Sequence, residues 1–277
     1  MNQMIHKILV TGILLLLGLG SSLALSSCGA TEEVAGPSYQ ARFASNEVAF
    51  SDLLNMQQQV YDAFVQSLLT NTHQPLDALL LELEKMSQAN QQNIVRYWQS
   101  YLQYYSAIYH STKGDKEKAE KAIEAAVDRL EDLSGKNAED YALLSLTQSF
   151  SIQFQSTIKA VIMSSRVKSN GEKALAMDPK NLRAYFVLGS NDYYTPAKYG
   201  GGTKVETYLL KALEQADQAV ENPYLPSWGR AEAYEMLIKF YIKKEKWSDA
   251  KTHYQDALQH FPDNYQLSKL GSKLVGK

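Results

Sequence analysis

From residue 45 onward, apolar residues return every three or four positions almost without interruption, the spacing of helices that each bury one stripe against a neighbour. No stretch alternates apolar and polar residues between turn signals, so the pattern predicts an all-α fold. Two amphipathic segments, 46–70 and 76–89, read as a helical hairpin divided at Pro75. The stretch 137–168 keeps the helical period but holds neither Gly nor Pro, so the position of its turn is unmarked. Residues 265–274, beyond Pro262, read as a short terminal helix.

An all-helical chain of this length is either a bundle or a repeat array, and self-similarity decides between them. Near the C-terminus, Tyr234, Leu237, Ile238 and Tyr241 are followed by Ala250, Tyr254, Ala257 and Pro262. Small Ala250 and Ala257 would let a second helix approach the first, Tyr241 and Tyr254 would fill the space between them, and Pro262 would end the unit. This spacing resembles the tetratricopeptide-repeat pattern, with Ile238 where a small residue is usual. Upstream, Ala174 and Pro179 close one unit, and Tyr185, Leu188 and Gly189 open the next in register. Ala119, Ile123 and Ala126 take second-helix positions in a more divergent copy, whose first helix has Gln103, Ser106 and His110 at positions usually aromatic or apolar. The resemblance covers residues 92–262. It implies that 46–277 form an α-solenoid of about five helix hairpins, wound as a right-handed superhelix, with 265–274 as a C-terminal cap.

Leu188 and Leu237 occupy the same repeat position 49 residues apart, against a period of about 34, so fifteen residues have been inserted. With Leu209 and Ala212 in second-helix slots, four of them fall in the turn between Gly189 and Thr203, and eleven around 221–226. The turn reads Asn-Asp-Tyr-Tyr-Thr-Pro-Ala-Lys-Tyr-Gly-Gly-Gly-Thr-Lys over 191–204. It departs from a phosphate loop because Thr precedes Lys, the earlier glycine is missing, and a helix rather than a strand leads into it. Pro196 is expected to stop the first helix, Gly200, Gly201 and Gly202 to supply positive φ, and Thr203 with Glu206 to cap the second helix. The turn resembles enlarged Thr-Pro…Gly-Gly turns of periplasmic repeat lipoproteins, including those that accompany TRAP-type transporters.

Tyr193, Tyr194 and Tyr199 are candidates for partner contact, the alternative being a turn packed by its own tyrosines. A second aromatic set lies on one predicted helix, as two adjacent stripes: Tyr97, Tyr101, Tyr104 and Ile108, then Trp98, Leu102, Tyr105 and Tyr109. One stripe serves the core; the second is either packing between repeats or the lining of a groove. On the groove reading Tyr97, Tyr101, Tyr104 and Tyr105 join the candidates.

The N-terminus changes the setting. Lys7 precedes an apolar run over 8–25, and Leu25-Ser26-Ser27-Cys28 resembles a bacterial lipobox. Residues 1–27 therefore read as a lipoprotein signal peptide, Cys28 as the lipid-attachment residue and 28–45 as a flexible tether. Cys28 is the only cysteine, which excludes an intramolecular disulfide and a thiolate metal cluster. The formal net charge of −2 becomes one unit more negative without the leader, so no attraction for nucleic acid is expected. His253 and His260 stand seven apart, too far for shared metal ligation, and no HExxH or nucleophile-serine motif occurs. Neither metal, cofactor nor active site is expected.

These readings converge on an exported, membrane-anchored scaffold in the periplasm or outer membrane that binds a protein or peptide partner in an open, wet groove. Two alternatives remain at this stage. A periplasmic solute-binding partner of a TRAP-type transporter would need a closed apolar cavity, and a glycan-binding outer-membrane lipoprotein would be analogous to the longer SusD-type proteins.

Overall fold

The computed structural model describes residues 53–89, 93–218 and 221–277. The signal peptide, Cys28, the tether and the first residues of the expected 46–70 segment lie outside the described residues. Among the described residues there are eleven α-helices and no strand. Five hairpins run in order: α1 (Met56–Thr70) with α2 (Gln74–Ala89), α3 (Asn93–Thr112) with α4 (Lys116–Glu131), and α5 (Ala138–Ser151) with α6 (Thr157–Met177). They continue with α7 (Leu182–Tyr194) and α8 (Val205–Glu214), then α9 (Arg230–Lys243) and α10 (Trp247–His260), before a single terminal helix α11 (Tyr265–Leu274). Each helix packs on its successor, and the first helices of neighbouring hairpins also pack on one another. That second set of contacts turns a string of hairpins into a solenoid.

Local chemistry sets the boundaries. Asn71 adopts the left-handed conformation at φ 56 and ends α1, as short polar side chains tolerate. Pro75 lies within the first turn of α2, where a missing N–H costs nothing, so it opens this helix rather than dividing the hairpin. The unmarked turn after α5 is a short 3-10 segment, Ile152–Phe154, followed by extended Gln155 and Ser156. Extended backbone is open to any residue, which is why neither Gly nor Pro announces it.

The core follows the repeat. Ala174, Ala250, Ala257 and Leu237 have no exposed surface, while Leu188, Tyr234 and Tyr241 retain 3% or less. Tyr185 and Tyr254 are half-buried, and Pro262 is exposed just beyond α10. A Cβ on Gly189 would come within 2.8 Å of the Leu209 Cδ2 atom, so α7 and α8 touch through the glycine. Leu209 and Ala212 are fully enclosed in α8, the register that locates four inserted residues in the preceding turn. At the far end, Leu267, Leu270 and Leu274 of α11 cover the apolar side of the last hairpin.

Candidate functional site

The larger insertion forms the connection between α8 and α9, described at 215–218 and 221–229. Gln218 clamps it locally: its amide nitrogen donates to the Leu225 and Pro226 carbonyls at 3.1 and 3.0 Å, and its carbonyl accepts from the Asn222 N–H at 2.7 Å. The segment then reaches the opposite end of the array. Pro223 O accepts from the Asn55 N–H at 2.9 Å, the Ser227 N–H donates to Gln57 Oε1 at 2.7 Å, and Trp228 Nε1 donates to the Tyr97 hydroxyl at 2.7 Å. This connection is therefore a strap tying the fourth hairpin to the first two.

Arg183 anchors the strap from below. Its guanidinium, only 3% exposed, donates to Glu139 from Nε and Nη2 at 2.5 and 2.8 Å, and to Asp217 Oδ1 from Nη1 at 2.7 Å. It also donates to the Trp228 carbonyl at 3.2 Å and lies 5.9 Å from that residue's ring centroid. Burial opposes the charge of Arg183, but the Glu139 carboxylate holds its pKa above the ordinary value.

Between strap and helices lies a half-enclosed cleft of about 140 Å³. Its walls come from the first helices of all five hairpins, from Trp228 in the strap and from the approach to α11, so it is the inner face of the solenoid. Aromatic rings dominate it. Phe64 meets Tyr105 edge-on at 5.1 Å, Tyr101 meets Tyr105 at 5.1 Å, and Trp228 lies between Tyr101 and Phe186 at 6.4 and 6.3 Å. The Tyr101 and Tyr105 hydroxyls are 3.4 Å apart. Burial raises the pKa values of Tyr101, Tyr104 and Tyr105, so all three stay neutral O–H groups.

Two carboxylates face the same space, Glu232 and Glu235, both on α9. Glu232 Oε2 accepts from the Gly229 N–H at 3.0 Å and so caps α9, while the rest of the side chain keeps accessible surface in the cleft. The residue is exposed at its surface, and the protein packed around its carboxyl raises its pKa. Glu235 pairs with Lys239.

The aromatic stripes of α3 are mostly interior. Tyr97 is fully enclosed and Tyr101 is 3% exposed; Trp98 and Leu102 have no exposed surface and Tyr109 has 5%. Tyr104 and Tyr105 are half-buried at the cleft. The structure thus brings Tyr101, Tyr104 and Tyr105 together at one site and places Tyr97 behind it as the acceptor for Trp228.

The tyrosines of the 191–204 turn do not line the cleft. Tyr193 and Tyr194 are half-buried and meet edge-on at 5.0 Å, with Lys243 Nζ over the Tyr193 ring at 5.1 Å. Tyr199 is 49% exposed under Lys198 Nζ at 4.8 Å. The expected Thr203–Glu206 capping box does not form. The Lys204 N–H instead donates to Asp192 at 2.6 Å, because this carboxylate near the end of α7 reaches the start of α8 across the turn. Glu206 turns outward to Lys246 at 3.1 Å and accepts from the Tyr241 hydroxyl at 3.0 Å. Gly200 and Gly202 take φ values of 85 and 82, whereas Gly201 is needed for space: a Cβ there would fall 1.9 Å from the Thr195 carbonyl oxygen.

A larger but shallow depression of about 300 Å³ lies where α4, α5 and α6 meet, near Lys136, Arg166 and Lys173. Its polar side chains already serve one another: Asn170 donates to Gln148 at 2.8 Å, and Gln148 to Glu131 at 2.9 Å. His73 and His110, far apart in sequence, stack at 4.5 Å, and burial lowers the pKa of His110. Among the described residues no group of three or more His, Cys, Asp or Glu side chains is placed to hold a metal ion, and no helix is long and apolar enough to cross a membrane.

Sequence reasoning missed Glu232, Glu235, Trp228, Phe186 and Phe64 as cleft residues. The one available signal was the Trp228-Gly229 pair followed three residues later by Glu232, a helix start directly after the longer insertion.

No family model matches the chain, and no curated protein matches it. Solved structures that share its fold include the following two. A thermophilic TPR protein from Thermus thermophilus is similar over 79% of this chain and 99% of its own, with a TM-score of 0.52 and 19% identity. The HusA haemophore from Porphyromonas gingivalis is similar over 71% of this chain and 94% of its own, with a TM-score of 0.51 and 22% identity. The chain is an all-α, tetratricopeptide-like solenoid.

Proposed function

We propose that the protein is a non-enzymatic adaptor of the bacterial cell envelope, held to a membrane through Cys28, that binds one protein partner on its concave face. The observation that carries this reading is the size and lining of the cleft. About 140 Å³ is well below the roughly 300–1,000 Å³ of pockets that engulf small molecules, yet it has room for one inserted side chain. Convergent aromatic rings from α1, α3 and α7, with Trp228, supply the anchor chemistry typical of interface centres. The inner face is neither the open groove expected of an adaptor nor the closed cavity expected of a solute carrier, because the strap narrows a scaffold face to a single-residue slot. Carriage of a whole cofactor, the role named for the similar haemophore, is disfavoured by the same volume.

A photoreactive residue at Tyr104, introduced into the full-length protein and crosslinked in cells, is expected to capture one specific protein in the membrane fraction. The same group at Tyr199, outside the cleft, is the control. Equal capture from both sites, or none from Tyr104, would sink the reading. Cys28→Ser is expected to release the protein from the membrane pellet, and retention there would remove the lipid anchor from the proposal.

A further inference from the structure

We infer that the cleft is a receptor for an alkylammonium group, seated against the Tyr101, Tyr104 and Tyr105 rings and paired with Glu232. The argument begins with charge. The lining carries two carboxylates and no lysine or arginine. Lys239 already compensates Glu235, whereas among the described residues no cation pairs with Glu232. One Glu232 oxygen is committed to the Gly229 N–H, and the residue is exposed at the edge of the cleft. Its negative potential reaches the neighbouring tyrosines, contributing to the raised pKa of each.

Glu232 is itself exposed, so solvent hydrates its charge, and a cation seated beside the apolar rings exchanges that hydration for a direct charge pair. The ring faces add a second attraction, because aromatic π-systems hold ammonium groups by their negative faces, most strongly where water is displaced. The volume selects a single alkyl chain with its charged head. A planar guanidinium is a poorer match: it seeks a bidentate carboxylate, and one oxygen of Glu232 is already bound to the helix cap. The ammonium can belong to a lysine of the partner proposed above or to a free amine. The lysine source rests on the adaptor reading; the cleft chemistry does not.

The test titrates the full-length protein in detergent micelles with n-butylammonium, and separately with n-pentanol as its neutral counterpart, by calorimetry. Saturable binding of the ammonium is expected, with at least tenfold weaker binding of the alcohol and of butylguanidinium. Glu232→Gln keeps a side chain able to cap α9, so the fold is retained, and it is expected to weaken ammonium binding at least tenfold. Equal affinity for ammonium and alcohol, or an unchanged affinity in Glu232→Gln, overturns the inference. Partner capture from Tyr104, repeated in Glu232→Gln, separates the sources: lost capture identifies a lysine of the partner, and retained capture with lost amine binding identifies a free amine. Capture without any amine binding leaves the adaptor reading standing and this inference refuted, whereas amine binding without capture does the reverse.

Discussion

Asp140 occupies the third position of α5, fully enclosed, with Oδ2 accepting from the Asn137 N–H at 2.9 Å and Oδ1 without a hydrogen-bond partner. Burial pushes its carboxyl up to about 6 from an ordinary 3.8. The folded state thus holds this proton more tightly than the unfolded chain, so stability is higher below about pH 4 and declines as pH rises to about 6. At roughly 1.4 kcal/mol per pKa unit, the decline across this window is on the order of 2–3 kcal/mol. Asp140→Asn keeps an oxygen for the Asn137 N–H and removes the buried charge. Urea unfolding at a series of pH values is expected to show that slope in the wild type, and a flatter profile with equal or greater stability at pH 7 in the variant. The capping role was legible, since Asn137 precedes Asp140 at capping-box spacing. The perturbed carboxyl was not, because its complete burial is a result of tertiary packing that capping-box spacing does not record.

At the scale of elements, helical period and the repeat pattern together predicted about five hairpins and a cap, and within 92–262 the repeat positions encode contacts between adjacent helices. Gly189 shows how literal that encoding is. Its missing side chain admits Leu209, whose Cδ2 and Cγ would lie 2.8 and 2.9 Å from an added Cβ. Gly189→Ala is expected to destabilise by about 1–3 kcal/mol, because neither helix retreats without losing its other neighbours. Thermal unfolding should report a fall of roughly 2–4 °C per kcal/mol for a chain of this size, and an unchanged midpoint would show that the α7–α8 spacing is plastic. Elements whose ends depend on tertiary partners were read less well. At the start of α8 no side chain caps the helix and the Lys204 N–H donates to Asp192 of the preceding helix, and the turn after α5 uses extended residues that leave no compositional trace.

Across the whole molecule, the strap converts a string of nearest-neighbour contacts into a structure with long-range closure. Repeat arrays ordinarily couple only adjacent units, but Trp228 and Tyr97 join positions 131 residues apart. Arg183 is the node beneath this closure. Arg183→Met leaves Glu139 and Asp217 without their shared cation and is expected to cost about 3–5 kcal/mol. Hydrogen exchange should show the loss at 221–229 and equally at 55–57, the segment hydrogen-bonded to the strap from the other end. Deprotection confined to 221–229 would show that the strap does not couple the two ends. By itself the sequence determined the all-α class, the hairpin count, the packing register and the lengths of both insertions, because helical period and repeat spacing are properties of neighbouring residues. Only the tertiary structure decided where the longer insertion goes and which aromatics share a cleft with Glu232. Those relations join residues more than a hundred positions apart, and no local period records them.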